Sequence, residues 1–153
     1  MTPRLDPFAA APALMQSWLA FGQGVAASGG LEESLLELVK IRASQINACA
    51  FCLHMHTRDA RKKGETEERI YLLDAWRESP LYSPRERAAL AWTEALTLVA
   101  ETQAPDDVYE EVKAHFTAAE QVALSLMIVA INGRNRVQVG FRAVHPIEKR
   151  KAA

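Results

Sequence analysis

Residues 31–64, LEESLLELVKIRASQINACAFCLHMHTRDARKKG, carry two helical patterns separated by one short turn. In the first, Leu31, Leu35, Leu38, Val39 and Ile46 recur at helical spacing, so residues 31–46 are expected to form an amphipathic helix. The second pattern begins near Cys49 and stops at Gly64, with Arg61, Lys62 and Lys63 in its last turn, where cations suit the negative end of a helix. The turn through Asn47 is short, which makes the two helices an antiparallel or steeply crossed pair.

The same helical grammar extends in both directions. Pro12 opens an earlier helix that runs through Trp18 and Phe21 and stops at Gly29-Gly30. A short helix is expected over residues 66–77. Ser83-Pro84-Arg85-Glu86 is a capping box with Pro at the first helical position, and it opens a helix through Trp92, Leu96 and Val99. Pro105-Asp106 opens another, reaching about His115. Thr117 and Glu120 form a second capping box. The helix they start is so apolar over residues 122–131 that it is expected to be the buried centre of the bundle. Gly133 is expected to bend or break it, with residues 134–144 continuing helically until Pro146. Alternating β-branched runs and Asn-Gly hairpin turns are nearly absent. The fold expected for residues 1–153 is therefore all-α, a single-domain bundle of about seven or eight helices.

The totals narrow the function. The chain has 153 residues, 49% of them hydrophobic and 24% charged, which suits one ordinary globular domain. A net charge of -1 offers nothing to nucleic acid, and the nearest basic run, residues 58–63, is interrupted by Asp59. Residues 122–131 are too few to span a bilayer. The Pro-rich start lacks the charged head and apolar run of a secretory signal, so a cytoplasmic location is expected. There, two cysteines are more often catalytic or metal-binding than structural.

Those two cysteines, Cys49 and Cys52, sit three residues apart near a helix start, and His56 follows one turn later. At roughly 100° per residue the three side chains share one face, with His54 pointing away. The helix N-terminus favours thiolate over thiol, and an imidazole at i+4 can take the proton of the second thiol. A carboxylate on the other ring nitrogen would orient that imidazole, and Glu37 and Glu33 are both candidates by spacing. Zinc held by Cys49, Cys52, His56 and Glu37 is a rival reading, weakened by the lack of a second ligand pair. A thioredoxin-type protein would need a βαβ pattern around the motif, which is missing. His54, His115 and His145 read as surface or boundary residues. Trp18, Trp76 and Trp92 read as core or interface packing, and residues 149–151 as a solvated basic tail. Glu94 either lines a pocket, has an i,i+4 partner or marks a helix boundary.

Glu37, then Cys49-Ala50-Phe51-Cys52, then His56 resembles the E…C-x-x-C-x-x-x-H signature of the AhpD-like alkylhydroperoxidases of the carboxymuconolactone decarboxylase superfamily. The flanking residues 46–52, 56–61, 64–66 and 83–97 are similar as well, and the likeness extends over about residues 31–145. The resemblance implies an all-helical AhpD-like fold, a trimeric or hexameric homo-oligomer, and hydroperoxide reduction without metal, haem or flavin. It implies a relay from the cysteine pair through His56 to Glu37, with Cys52 as the attacking sulfur and Cys49 as the resolving one. It also implies an external dithiol donor, dihydrolipoamide-like or thioredoxin-like. One position departs: the best-characterised members carry a histidine between the cysteines, where this chain has Phe51. Members that act as lactone decarboxylases lack the cysteine pair. Two other uses of the same pair remain open, a redox sensor or interaction module switched by its disulfide, and a disulfide reductase or isomerase.

Overall fold

The structure, a computed structural model, describes residues 1–147. Among these the elements are α1 (Pro7–Ala10), α2 (Pro12–Ser28), α3 (Glu33–Ile46), α4 (Ala50–Lys62), α5 (Glu67–Tyr71), a 3-10 turn (Leu73–Ala75), α6 (Pro84–Thr97), α7 (Val99–Thr102), α8 (Asp106–His115) and α9 (Ala118–Gly140). No strand occurs among the described residues, so the chain is all-α as expected. The basic tail at residues 149–151 lies outside them. No helix among them is long and apolar enough to cross a membrane.

Both capping boxes form. The Ser83 hydroxyl accepts from the Glu86 amide, and the Glu86 carboxylate accepts in return from the Ser83 amide at 2.8 Å. Thr117 and Glu120 repeat the arrangement at the start of α9. Each box satisfies two of the amides that a helix start leaves open. Gly30 and Gly64 stop α2 and α4 with φ of 68° and 96°, a left-handed conformation that glycine adopts without a Cβ clash.

Helix α3 is the hub, packing against α4, α6 and α9, while α2 lies along α9 and α8 along α6. Leu35, Leu36 and Val39 of α3 join Ala89 and Trp92 of α6 and Leu124 and Ile128 of α9 in the main core. Leu38 and Ile41, on another side of α3, pack with Leu73, Trp76, Tyr82 and Leu90. Glu94 ties that second core together rather than lining a pocket. Its Oε1 accepts from Arg42 Nε and from Trp76 Nε1, each at 2.8 Å.

Four boundaries differ from the sequence reading, each for a local reason. The helix expected over residues 66–77 divides into α5 and the 3-10 turn, with Leu72 between them at ψ 0°. The helix expected to pass through Val99 closes at Thr97, and Leu98 (φ -103°, ψ 33°) starts the separate α7. Helix α9 stops at Gly140 instead of continuing to Val144. Arg142 turns left-handed at φ 54°, and the Ala143 amide closes back on the Gln138 carbonyl at 2.9 Å. Finally, Gly133 does not break α9, which runs as one helix from Ala118 to Gly140. The glycine is the floor on which the Trp18 indole rests: a Cβ built there would lie 2.4 Å from Trp18 Cζ2. The residue answers a packing demand from α2 that no local pattern around it records.

Gly133→Ala is expected to lower stability by about 1 kcal/mol. Overpacking costs about 1–3 kcal/mol and outweighs the roughly 1 kcal/mol that alanine gains in helix propensity. Urea unfolding reads the difference as a lower midpoint at unchanged slope. A raised midpoint would mean the indole has room to step aside.

Candidate active site

The turn between α3 and α4 sets the cysteine pair. Asn47 closes α3, and Ala48 turns left-handed at φ 51°. The Cys49 amide then returns to the Ser44 carbonyl at 3.0 Å. Cys49 thereby becomes the N-cap of α4, with Cys52 in its first turn. The amides of Cys52 and Phe51 face the Cys49 sulfur, short of a full capping hydrogen bond. Both sulfurs are reduced and buried, Cys49 at 1% exposure and Cys52 at 0%, among Ala43, Phe51 and Ile131.

The two side chains interact closely, so that ionising one thiol opposes ionisation of the other. For Cys49 the hydrogen bond with Cys52 is the main influence; burial opposes it, and the amides and the Asn135 side chain reinforce it, bringing the thiol down to about 6. For Cys52 the same hydrogen bond, together with burial, pushes its ionisation up. One negative charge is thus shared by the pair, and the helix N-terminus favours it on Cys49, the N-cap.

Glu37 and His56 meet. His56 Nδ1 lies 3.0 Å from Glu37 Oε2, with Glu37 only 3% exposed and His56 6%. Lys40 Nζ and Lys63 Nζ donate to Glu37 Oε1 at 3.1 and 3.0 Å. Burial pushes the Glu37 carboxyl up, but the His56 hydrogen bond, the Lys40 charge and the Lys63 hydrogen bond outweigh it and hold it at about 2. An ionised carboxylate only accepts, so Nδ1 carries a proton and donates it. When the ring is neutral, Nε2 is therefore the basic nitrogen. Glu33, the rival candidate, is exposed and reaches Lys63 at 3.5 Å.

No hydrogen bond joins His56 to either thiol. His56 Nε2 is buried and has no hydrogen-bond partner among the described residues, while the Cys52 thiol interacts with Cys49. The His56 side chain lines a cavity of about 150 Å³, along with Trp18, Lys40, Met127, Ile131 and Arg134. Ile131 is the partition: it lines that cavity on one side and packs against both sulfurs on the other.

Asn135, fully buried on α9, escaped the sequence reading. Its Oδ1 accepts from Asn47 Nδ2 and its Nδ2 donates to Ser44 Oγ, both at 3.0 Å, and its side chain also favours the anionic form of both sulfurs. The only sequence signal was an asparagine in an apolar helix, eighty-odd residues from the motif it serves. His54 and His145 stack on each other with ring centroids 4.7 Å apart, away from the pair, and His115 sits at a boundary position. Among the described residues no three His, Cys, Asp or Glu side chains are grouped so as to hold a metal ion.

Comparison with known proteins sets this geometry in a family. Residues 12–95, which include the four motif positions, match the model of the carboxymuconolactone decarboxylase family. The chain is 50% identical over 105 residues to the uncharacterized protein YdfG of Bacillus subtilis, covering 69% of this chain and 71% of that one. It is 45% identical to ATU0492 of Agrobacterium tumefaciens, a protein of unknown function suggested to be the antioxidant defence protein AhpD. That crystal structure superposes with a TM-score of 0.93 over 96% of this chain and 100% of its own. The debrominase Bmp8 has the same fold at 15% identity, with a TM-score of 0.78 over 91% of this chain and 74% of that one.

The shared charge has a direct spectroscopic signature. Thiolate absorbance near 240 nm is expected to rise once, with a midpoint near pH 6. Cys52→Ala, which removes the partner of Cys49, is expected to move that midpoint upward. Because folding lowers the Cys49 pKa, it adds stability that is complete above the unfolded thiol value of about 8.5 and is lost as pH falls through about 6. The melting temperature of the reduced protein, measured against Cys49→Ser across that window, checks the sign.

Proposed function

From the premise that the chain belongs to the carboxymuconolactone decarboxylase family, we propose that it is an AhpD-like thiol-dependent peroxidase. It reduces a hydroperoxide through the Cys49–Cys52 dithiol, with His56 and Glu37 as the proton relay. The observation that supports this most is the buried Glu37–His56 hydrogen bond at 3.0 Å, which leaves one basic nitrogen on an imidazole that lines a cavity beside an ionisable sulfur pair. The same fold in a debrominase means that the fold by itself does not choose the reaction, and the choice rests on this constellation.

The cycle balances as follows. With the peroxide bound between Nε2 and the sulfurs, the pair ionises once and its proton passes through that bridge to His56 Nε2, where the Glu37 charge stabilises the imidazolium. The remaining thiol proton passes along the hydrogen bond from Cys52 to Cys49, leaving the anion on Cys52. Cys52 attacks the terminal peroxide oxygen, an S–O bond forms, the O–O bond breaks, and the leaving alkoxide takes the proton from His56 Nε2 and departs as an alcohol. The Cys49 sulfur then attacks the sulfenic sulfur. Its proton joins the expelled hydroxide as water, and the disulfide is complete. The peroxide supplies the bridge that the resting site lacks, spanning Nε2 and sulfur once Ile131 turns aside. An external dithiol gives two electrons and two protons to restore the pair. Sulfurs buried this deeply favour a slim dihydrolipoamide-like arm over a folded thioredoxin-like donor, and they weigh against reduction of protein disulfides. A reducing compartment such as the cytoplasm suits this chemistry. A homo-oligomer, trimer or hexamer, is part of the proposal: Val122, Leu126 and Val129 form an apolar stripe on α9 that is exposed in the single chain.

Two experiments test this reading. Peroxide consumption with a dithiol donor is expected to fall by at least about a hundredfold in either Cys49→Ser or Cys52→Ser, since both sulfurs are needed for each turnover. An unchanged rate in Cys52→Ser rejects the mechanism, and a single stoichiometric oxidation without cycling would instead identify a sensor. Light scattering is expected to report an oligomer that Val122→Lys with Val129→Lys converts to monomers. A monomeric wild type would refute the assembly.

A further inference from the structure

The cavity next to His56 carries a second polar feature that the relay does not use. Arg134 lines it half-buried and has no hydrogen bond or ion pair among the described residues. Lys40, the other cation on the wall, is answered by Glu37 at 3.1 Å, and that carboxylate is already shared with Lys63 and His56. Arg134 therefore has no carboxylate partner at a site partly withdrawn from water, where a planar carboxylate is the best partner of a guanidinium. His56, a side chain more than nine-tenths buried that lines the same cavity, has its Nε2 unpartnered. The remainder of the surface is mostly apolar, from Trp18, Leu19, Met127 and Ile131, with Gln23 as a further polar side chain. A cavity of about 150 Å³ holds a molecule of about six carbons.

We propose that this cavity binds a small carboxylate-bearing aliphatic molecule, its carboxylate on Arg134, its chain against Trp18 and Met127, and its reactive end at His56 Nε2. Resting on the peroxidase reading, the substrate class is a short hydroperoxy acid rather than hydrogen peroxide or a neutral hydroperoxide. Reduction converts it to the corresponding hydroxy acid and water while the cysteine pair is oxidised to the disulfide. Arg134 acts here as a specificity residue. It lies close enough to Cys52 for its charge to favour the anion there, so the group that recognises the substrate also favours the attacking sulfur.

Hexanoate and hexanamide, matched in size and differing in charge, test the site without any turnover. Binding is followed through the indole N–H signal of Trp18 in the full-length reduced protein. Hexanoate is expected to shift that signal saturably and to bind at least about tenfold more tightly than hexanamide, as one charge-assisted contact requires. Arg134→Gln is expected to abolish that preference and Arg134→Lys to retain most of it. Equal binding of the two probes, binding of neither, or an undiminished preference in Arg134→Gln would overturn the proposal. If Arg134→Gln fails to fold, the wild-type comparison of the two probes decides alone. A parallel oxidation of the dithiol by 6-hydroperoxyhexanoate and by its methyl ester separates this inference from its premise. An acid preference of about tenfold supports both. Charge-dependent binding of hexanoate with no oxidation by either peroxide keeps the anion site and removes the peroxidase reading.

Discussion

A carboxylate sunk into a helical bundle has to be met by donors, and the way Glu37 is met organises everything around it. Placed alone at 3% exposure it would be far too costly to keep ionised. Three donors answer it: Lys40 from its own helix, and Lys63 and His56 from the next. The first consequence is mechanical. The contacts pin α4 to α3, while Arg42 on the same helix is held by Glu94 of α6. The second is chemical. With the carboxylate held at about 2, it remains an acceptor at any pH the protein can survive, and the imidazole has one tautomer available when neutral.

The sulfur pair depends on a different set of contacts that converges on the same place. A left-handed Ala48 and the Cys49 amide returning to Ser44 put the first sulfur at the helix N-terminus. Asn135 reaches across from α9 to bridge Asn47, Ser44 and the two sulfurs. Acid, imidazole and thiols thus come from α3 and α4, and the groups that tune and enclose them come from α9. That division explains why α9 must run unbroken through Gly133. A break there would carry Arg134 and Asn135 away from the site, and the glycine is needed only because the Trp18 indole occupies the space a Cβ would fill.

Much of this was legible in the sequence because it is encoded locally. The capping boxes, the glycine stops and the Cys49–Cys52–His56 spacing each involve residues within a few positions of one another, where helical geometry alone decides what meets. The choice between Glu37 and Glu33 was not local; it depended on the angle between α3 and α4, and spacing left it open. Asn135, Arg134 and Lys63 were silent for the same reason, since their relevance comes from which helix lies beside them. The expected break at Gly133 failed because glycine has two uses in a helix, weakening it or admitting a neighbour, and the neighbour here is more than a hundred residues away. The i+4 spacing of Cys52 and His56 fixes a shared face but not the rotamers, so it left open whether the two side chains touch.

The central claim is that Glu37 and His56 act as one unit on the sulfur pair. A double-mutant cycle measures this directly, using the second-order rate of disulfide formation by a hydroperoxide in the wild type, Glu37→Gln, His56→Asn and the double variant. If the two residues form one relay, each single change removes nearly all that the pair contributes, and the double variant is hardly slower than His56→Asn. If the two single effects instead multiply in the double variant, Glu37 serves only to hold the helices together, and the relay account is contradicted.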